Sequence, residues 1–245
     1  ELCFHELLKK GGVFNKVLDA PSLFLWRRSQ VRRLVFIIIT SFLAPLHSWA
    51  ETYIVSNASE VAAAMKTAQP GDTLMMTQGV WTDQQIKFVG NGEENNPIVL
   101  KAEKPGFVIL NGFSSLRISG TYLKVDGLHF VGGYSRSGAP IEFRDGSSKP
   151  AHHCRLTNTA IIDYNPTSRS NDYKWLSIYG THNRVDHCYF EGKNNEGATL
   201  VVWLDGQPNY HLIDHNYFGF RPELGVNGGE TIRVGTSQWS LTDSY

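Results

Sequence analysis

The segment Val185-Asp-His-Cys-Tyr-Phe190 recurs almost unchanged as Ile213-Asp-His-Asn-Tyr-Phe218. Two further segments align with this pair without gaps, Val125-Asp-Gly-Leu-His-Phe130 and Leu156-Thr-Asn-Thr-Ala-Ile161. Successive copies start 28 to 31 residues apart, a period that is typical of solenoid proteins, in which each repeat forms one coil. We therefore expect the first and last residues of the four segments to stack as two inward-facing columns.

A second set of short apolar segments lies between the repeats: Ile141–Phe143, Trp175–Ile178, Thr199–Trp203 and Thr231–Val234. Turns rich in Gly, Asn and Asp separate the two sets, so each coil contains at least two short strands. A β-sandwich also has many short strands, but it does not predict a column that repeats at a nearly constant period. The sequence predicts an all-β fold, a right-handed parallel β-helix.

A short amphipathic helix is predicted to open this domain. Asn57 and Glu60 resemble a capping box, and apolar residues follow on one face from Val61 to Ala68. The segment Gln69-Pro-Gly-Asp72 ends the helix. Such a capping helix would shield the open end of a solenoid core, whereas an ordinary β-α-β unit is the alternative.

The residues before this helix resemble an export signal. Four arginines between Arg27 and Arg33 precede the apolar run Leu34–Leu46, and Ser48 and Ala50 fit the small-residue positions of a cleavage site. The apolar run is about a dozen residues long, whereas a helix that spans a membrane needs roughly 20.

The predicted organisation follows from this signal. Residues 1–30 are interpreted as an upstream segment without a structural role, residues 31–50 as a signal peptide cleaved after Ala50, and residues 51–245 as the β-helix domain. We predict that the mature domain is secreted or periplasmic and has no stable membrane anchor.

Composition narrows the possible partners. Lys and Arg together number 23, as do Asp and Glu, so the formal net charge is zero and gives no indication of a nucleic-acid partner. A protein of this charge that binds a polyanion must gather its basic residues on one face. The three cysteines are too few for a disulfide scaffold. Cys154 and Cys188 are offset by about five residues along the strand direction, so we predict two buried free thiols.

The histidines show none of the spacings of a zinc site. His187 and His215 occupy the same position in successive repeats, so we expect their rings to stack on one face of the solenoid.

Basic and amide residues gather in two loops, 191–196 and 220–230, that follow the same strand in successive coils. The two loops should therefore lie side by side. Lysine and arginine are suitable partners for the carboxylates of a polyuronide, and we predict that Lys193, Asn194 and Arg221 bind such a substrate. Two solvated loops without a function are the alternative.

Three motifs resemble polysaccharide lyase family 6, which contains alginate lyases and chondroitinase B: Ala68-Gln-Pro-Gly-Asp72, Asn194-Asn-Glu-Gly-Ala-Thr-Leu-Val-Val-Trp203 and Asn227-Gly-Gly-Glu-Thr-Ile-Arg-Val-Gly235. The resemblance covers roughly residues 51–245. It implies a pectin-lyase-like β-helix that cleaves an acidic uronate polymer by β-elimination, with alginate favoured and chondroitin or dermatan sulfate as the alternative substrate.

The resemblance also implies a cofactor and site residues. In the family, Ca²⁺ neutralises the uronate carboxylate, a Lys removes the C5 proton and an Arg acts on the acid side. By motif, Asn227 corresponds to a calcium ligand, and Glu230 is expected to support the site from behind it. The other ligands and the catalytic residues are expected beyond Tyr245, so this chain alone is predicted to be inactive. A non-catalytic β-helix, such as a surface adhesin or a carbohydrate-binding solenoid, is the alternative from another class.

Overall fold

The computed structural model describes residues 49–223 and 229–235. Within these ranges the strands form three sheets, and every pair of neighbouring strands is parallel. The chain visits the first, second and third sheets in turn and then repeats the circuit one layer further along. This arrangement is a parallel β-helix, which confirms the predicted fold class.

The first sheet contains, in spatial order, β1 (Thr52–Val55), β2 (Thr73–Met76), β5 (Ile98–Ala102), β8 (Leu123–Asp126), β12 (Arg155–Thr157), β15 (Arg184–Asp186) and β18 (Leu212–Asp214). The second contains β3 (Gly79–Thr82), β6 (Val108–Gly112), β9 (Leu128–Gly133), β13 (Ala160–Ile162), β16 (Tyr189–Glu191) and β19 (Tyr217–Phe218). The third contains β4 (Gln85–Asn91), β7 (Ser115–Thr121), β10 (Ile141–Glu142), β11 (Ala151–His152), β14 (Leu176–Ile178), β17 (Leu200–Val202) and β20 (Ile232–Val234).

The two columns predicted from the repeat form the core between the sheets. In the first sheet the pairing joins Val125, Leu156, Val185 and Ile213. In the second it joins Phe130, Ile161, Phe190 and Phe218. The first three members of each column are buried, and the last of each packs half-buried against the same core. The predicted register is therefore confirmed.

The helix α1 (Ala58–Ala64) is the only helix in the described ranges, and none there is long and apolar enough to cross a bilayer. Asn57 caps it, because the Asn57 side chain accepts a hydrogen bond from the backbone N–H of Glu60 at 2.9 Å. Val61 and Ala64 are buried against the first coils. At its end, Asp72 accepts from the backbone N–H groups of Gln69 and Glu51, which ties the turn to β1. The predicted capping helix is confirmed.

Two corners of the coils are turned by residues with positive φ. One corner is formed by Gly127, Asn158, His187 and His215, and the other by Tyr122, His153, His182 and Tyr210. The rings stack from coil to coil, with 5.1 Å between the centroids of His187 and His215, as predicted. The histidines thus shape corners, where Asn and His tolerate the left-handed conformation better than β-branched residues do. No group of three His, Cys, Asp or Glu side chains suited to a metal occurs in the described ranges.

The two cysteines lie next to different corners, since Cys154 follows His153 and Cys188 follows His187. Both are buried and free, as predicted. Burial raises the pKa of each thiol to about 12, so both stay protonated and unreactive at neutral pH.

Candidate functional site

Long loops lead from the second sheet into the third at the same point of successive coils, over residues 134–140, 163–175 and 192–198. The second of these loops is joined to the third, because the N–H of Tyr173 donates to the carbonyl of Glu196. Just after the third loop, the N–H of Thr199 donates to the carbonyl of Glu230, which precedes β20 in the next coil. The loops therefore lie side by side along one edge. The sequence predicted this neighbourhood for the loops 191–196 and 220–230, and the hydrogen bonds from Arg221 to the carbonyls of Asn195 and Gly197 join these two.

A cleft of about 500 Å³ opens between the first two loops and the outer face of the third sheet. Three basic and two acidic side chains line it, together with four aromatic ones: Arg136, Arg144, Lys174, Glu142, Asp172, Tyr134, Tyr173, Tyr179 and Trp203. A concave surface of this size with a few convergent polar groups is the usual form of a small-ligand or oligosaccharide site.

The wall of the cleft is a ladder of stacked side chains on the third sheet. The guanidinium carbon of Arg144 lies 3.8 Å from the ring centroid of Tyr179. The rings of Tyr179 and Trp203 are parallel, with 5.6 Å between centroids. On the far side of Trp203, the guanidinium carbon of Arg233 is 5.9 Å from the ring centroid. Cation–π contacts of this kind restrain both arginines at the surface.

Glu142 holds Arg144 in this ladder. Its Oε2 accepts a hydrogen bond from Nε of Arg144 at 2.9 Å, and its Oε1 accepts from the backbone N–H of Ala139 at 3.0 Å. Burial raises the pKa of Tyr179 to about 12, so its hydroxyl stays neutral beside the arginine. The buried carboxylate of Glu142 therefore fixes the orientation of the Arg144 guanidinium and the position of the loop that contains Ala139.

Hydrogen bonds from Arg117 and to Tyr173 hold the loop 134–140 in place, so the cleft is preformed. Arg117 donates to the carbonyl of Ala139 at 2.8 Å and to that of Ser137 at 2.6 Å. The hydroxyl of Tyr173 accepts from the backbone N–H of Ser135 at 2.6 Å. Burial lowers the pKa of Arg117 from its usual value, but a guanidinium remains charged at any physiological pH.

The cations of the cleft differ in their freedom to bind a ligand. Lys174 is paired with Asp172, at 2.6 Å between Nζ and Oδ2. Arg136 stacks on Phe113, with 3.5 Å from its guanidinium carbon to the ring centroid, and no acidic side chain of the described ranges pairs with it. Arg136 and the outer end of Arg144 are therefore the groups best placed to meet an anion.

Lys193, predicted to contact substrate, is instead buried with 1% of its surface exposed. Its Nζ donates to the carbonyl of Asn195 at 3.0 Å, to Oδ1 of Asn195 at 3.1 Å and to the carbonyl of Glu196 at 3.2 Å. Burial, together with the charge of Arg221, lowers the pKa of Lys193 to about 7. These contacts indicate that the lysine shapes its own loop, in place of the predicted substrate contact.

Arg221 is half-buried and makes structural contacts, and its predicted contact with substrate stays a prediction. Its guanidinium donates to the carbonyls of Asn195, Gly197 and Glu230, all at 2.9 to 3.2 Å, and so joins the two loops. Asn194 is the exposed member of the predicted set, and its backbone carbonyl accepts from Nε of Arg169 at 3.0 Å. Lys193 and Arg221 thus share the carbonyl of Asn195 as an acceptor, with Lys193 buried and Arg221 half-buried, whereas Asn194 is exposed.

The residues predicted to hold calcium are only partly described, because Asn227 lies outside the described residues. Glu230 is half-buried, and its Oε2 is a buried oxygen that has no hydrogen-bond partner among the described residues. One such oxygen suits a calcium ion, but Ca²⁺ takes six to eight oxygen ligands. The described residues by themselves therefore do not form a calcium site.

The wall of the cleft also has a signature in the sequence, which lies at the ends of the strands and not in the cationic loops. Arg144, Tyr179 and Trp203 each stand three residues after the first residue of their strands, β10, β14 and β17. They therefore form a column on the outside of the sheet. This column of one basic and two aromatic residues is the sequence feature that corresponds to the wall of the cleft.

Comparison with known proteins agrees with the fold. The chondroitinase B family model matches residues 55–245. The PL6 family alginate lyase AlyGC is 43% identical, with a TM-score of 0.77 over 79% of this chain and 27% of that one. A mannuronic acid specific family 6 lyase from human gut microbiota is 35% identical, with a TM-score of 0.71 over 78% of this chain and 45% of that one.

A PL6 family polysaccharide lyase from Pseudopedobacter saltans is 36% identical, with a TM-score of 0.65 over 76% of this chain and 42% of that one. The chain therefore spans less than half the length of each of these three structures. The comparison with curated proteins found no match. The extent of the family match and the identity to these lyases show that the chain belongs to the chondroitinase B family.

Proposed function

We propose that the protein containing this chain is a polysaccharide lyase that cleaves an acidic uronate polymer, and that the coils described above bind the polymer. The observation that carries the proposal is the preformed cleft, in which Arg136 and Arg144 face solvent beside stacked aromatic rings. The family relationship supplies the reaction class, because the similar structures are lyases by name. Alginate is the favoured substrate, since two of them are named for alginate or its mannuronic acid.

The reaction that fits this binding face is β-elimination. A base removes the proton at C5 of a uronate, the electron pair forms a C4–C5 double bond, and the C4–O bond breaks as its oxygen takes a proton. A proton next to a carboxylate anion is weakly acidic until that negative charge is offset. Cationic groups near the sugar carboxylates serve this need and also hold the chain in place.

We expect the base, the acid and the remaining calcium ligands to lie in coils beyond Tyr245. The unpartnered Oε2 of Glu230 supports a metal near the loop that contains Asn227. We expect residues 51–245 alone to release no unsaturated sugar from alginate, whereas the protein extended beyond Tyr245 does so. The measurement is the ultraviolet absorbance of the new double bond, with dermatan sulfate as the second substrate.

The calcium part of the proposal has its own test in the extended protein. Asn227→Ala should raise the calcium concentration needed for half-maximal activity by about 10-fold or more, because Ca²⁺ loses one of its oxygen ligands. Calcium binding measured by calorimetry should weaken in parallel. Normal activity of this variant at low calcium would show that Asn227 is not a ligand. Binding of alginate without turnover by the extended wild type would instead favour the non-catalytic alternative.

We also propose that the protein is exported and that its signal peptide is removed after Ala50. Amino-terminal sequencing of the exported protein should read Glu-Thr-Tyr-Ile from Glu51. Material that retains Leu34–Leu46 would contradict this proposal.

A further inference from the structure

Arg144 is held in one orientation while part of it stays free. Its Nε is bound to Glu142, and one face of the guanidinium lies on the ring of Tyr179. Its side chain is 30% exposed, and its two terminal NH₂ groups have no hydrogen-bond partner in the described ranges. The flat end with these two groups therefore presents a fixed pair of donors to the cleft.

A fixed pair of donors of this kind matches a carboxylate. The planar guanidinium end forms two parallel hydrogen bonds to the two oxygens of a carboxylate, and an arginine that is already restrained loses little entropy on binding. A uronate polymer has one carboxylate on each sugar. The stacked rings beside Arg144 provide apolar surface for the rest of the sugar.

The position of Arg144 in the sheet separates it from the loop that contains Glu230. Arg144 follows β10 and Glu230 precedes β20, and the sheet order between them is β10, β14, β17, β20. Three strand spacings correspond to about 14 Å. This distance is greater than the size of one sugar ring, so a single sugar cannot reach both positions.

We propose that Arg144 forms a separate subsite, which binds the carboxylate of a uronate other than the one at which the bond is cleaved. Glu142 and Tyr179 are positioning residues that aim its guanidinium. The inference rests on the proposed function and deepens it: the polymer lies along the axis of the β-helix and spans several coils. Arg144 should therefore increase the affinity only for oligosaccharides long enough to reach both Arg144 and the loop that contains Glu230.

The test is calorimetric binding of alginate-derived oligouronates to the extended protein, with a trisaccharide and a hexasaccharide as the two probes. Arg144→Gln should raise the Kd of the hexasaccharide by about 10-fold or more, because two charge-assisted hydrogen bonds are lost, and leave the trisaccharide unchanged. Arg144→Lys keeps the charge but loses the paired donors, so it should also weaken the hexasaccharide. A carboxyl-reduced hexasaccharide should bind wild type and Arg144→Gln equally.

Three control variants separate the effect of the orientation of Arg144 from the effect of its positive charge alone. Lys124→Gln removes one positive charge on the first sheet, away from the cleft, and should leave both affinities unchanged. Tyr179→Leu should weaken the hexasaccharide, whereas Tyr179→Phe keeps the ring and should restore affinity. Circular dichroism checks that each variant is folded.

The outcomes also distinguish this inference from the proposed function. Hexasaccharide binding that depends on Arg144 supports the subsite even if no bond is cleaved. If the protein cleaves alginate but Arg144→Gln leaves its hexasaccharide affinity unchanged, the subsite is overturned and the lyase proposal stays intact. An equal loss for the trisaccharide and the hexasaccharide would also overturn it, because Arg144 would then contact the reacting sugars themselves.

Discussion

Replacing Phe190 by Ala should lower the free energy of unfolding by about 3–5 kcal/mol, the usual cost of truncating a buried aromatic residue. Phe190 is 2% exposed and stands in the middle of the second-sheet column, between Ile161 and Phe218. Its ring stacks on that of Phe218 with 4.9 Å between centroids. The truncation therefore leaves a cavity that two neighbouring coils would have to close. Urea unfolding of the purified protein, followed by circular dichroism, measures the loss.

The neighbouring residue provides a matched control. Tyr189 is on the same strand, but it points outward, is 42% exposed and stacks on Tyr217. Tyr189→Ala removes a ring of similar size and should cost about 1 kcal/mol, the value of an exposed aromatic pair. Equal losses for the two variants would contradict the inward position of the Phe190 column.

Lys193→Ala should be nearly as damaging, with a loss of about 3 kcal/mol at pH 7. The substitution removes the donor to three oxygens of Asn195 and Glu196 and leaves a buried cavity. Lys193→Met keeps most of the volume and isolates the lost hydrogen bonds, so it should cost about 1–3 kcal/mol. If Lys193→Ala were as stable as wild type, the amine would not be holding the loop, and a contact with substrate would again be the better interpretation.

The pH dependence of the free energy of unfolding provides a second test of the buried amine of Lys193. Below about pH 7 the amine is protonated in both the folded and the unfolded chain. Above that pH the folded chain releases the proton, whereas the unfolded chain keeps it up to its ordinary pKa of 10.5. Because the unfolded chain then binds more protons, this group makes stability rise with pH between about 7 and 10.5. Lys193→Met should lack that rise when unfolding is compared at pH 6 and pH 9.

The fold could be predicted because its main determinant is a repeat. Each coil needs an aliphatic residue such as Val185 and, five positions later, a residue such as Phe190, and parallel stacking turns this spacing into two core columns. The stacking of His187 on His215 follows from the same register. The inward columns and the stacked corner residues can be derived in this way.

The site was harder to predict, because a loop does not fix where its side chains point. Lys193 is a cation in a polar loop by sequence, but backbone carbonyls of that loop surround it and draw the amine inward. Arg144 stands in an outward column with Tyr179 and Trp203, but its hydrogen bond to Glu142 and its contact with the ring of Tyr179 cannot be derived from that column alone. Such contacts depend on neighbours that are distant or unremarkable in the sequence.

The parallel stacking also limits how the binding face can change during evolution. The strands β7, β10, β14, β17 and β20 of the third sheet pair in register one after another, so a coil can be gained or lost only as a whole. Each such event moves Arg144 relative to the loop of Glu230 by one strand spacing, about 4.8 Å. Related proteins can therefore bind oligosaccharides of different lengths, but these lengths differ only by whole strand spacings.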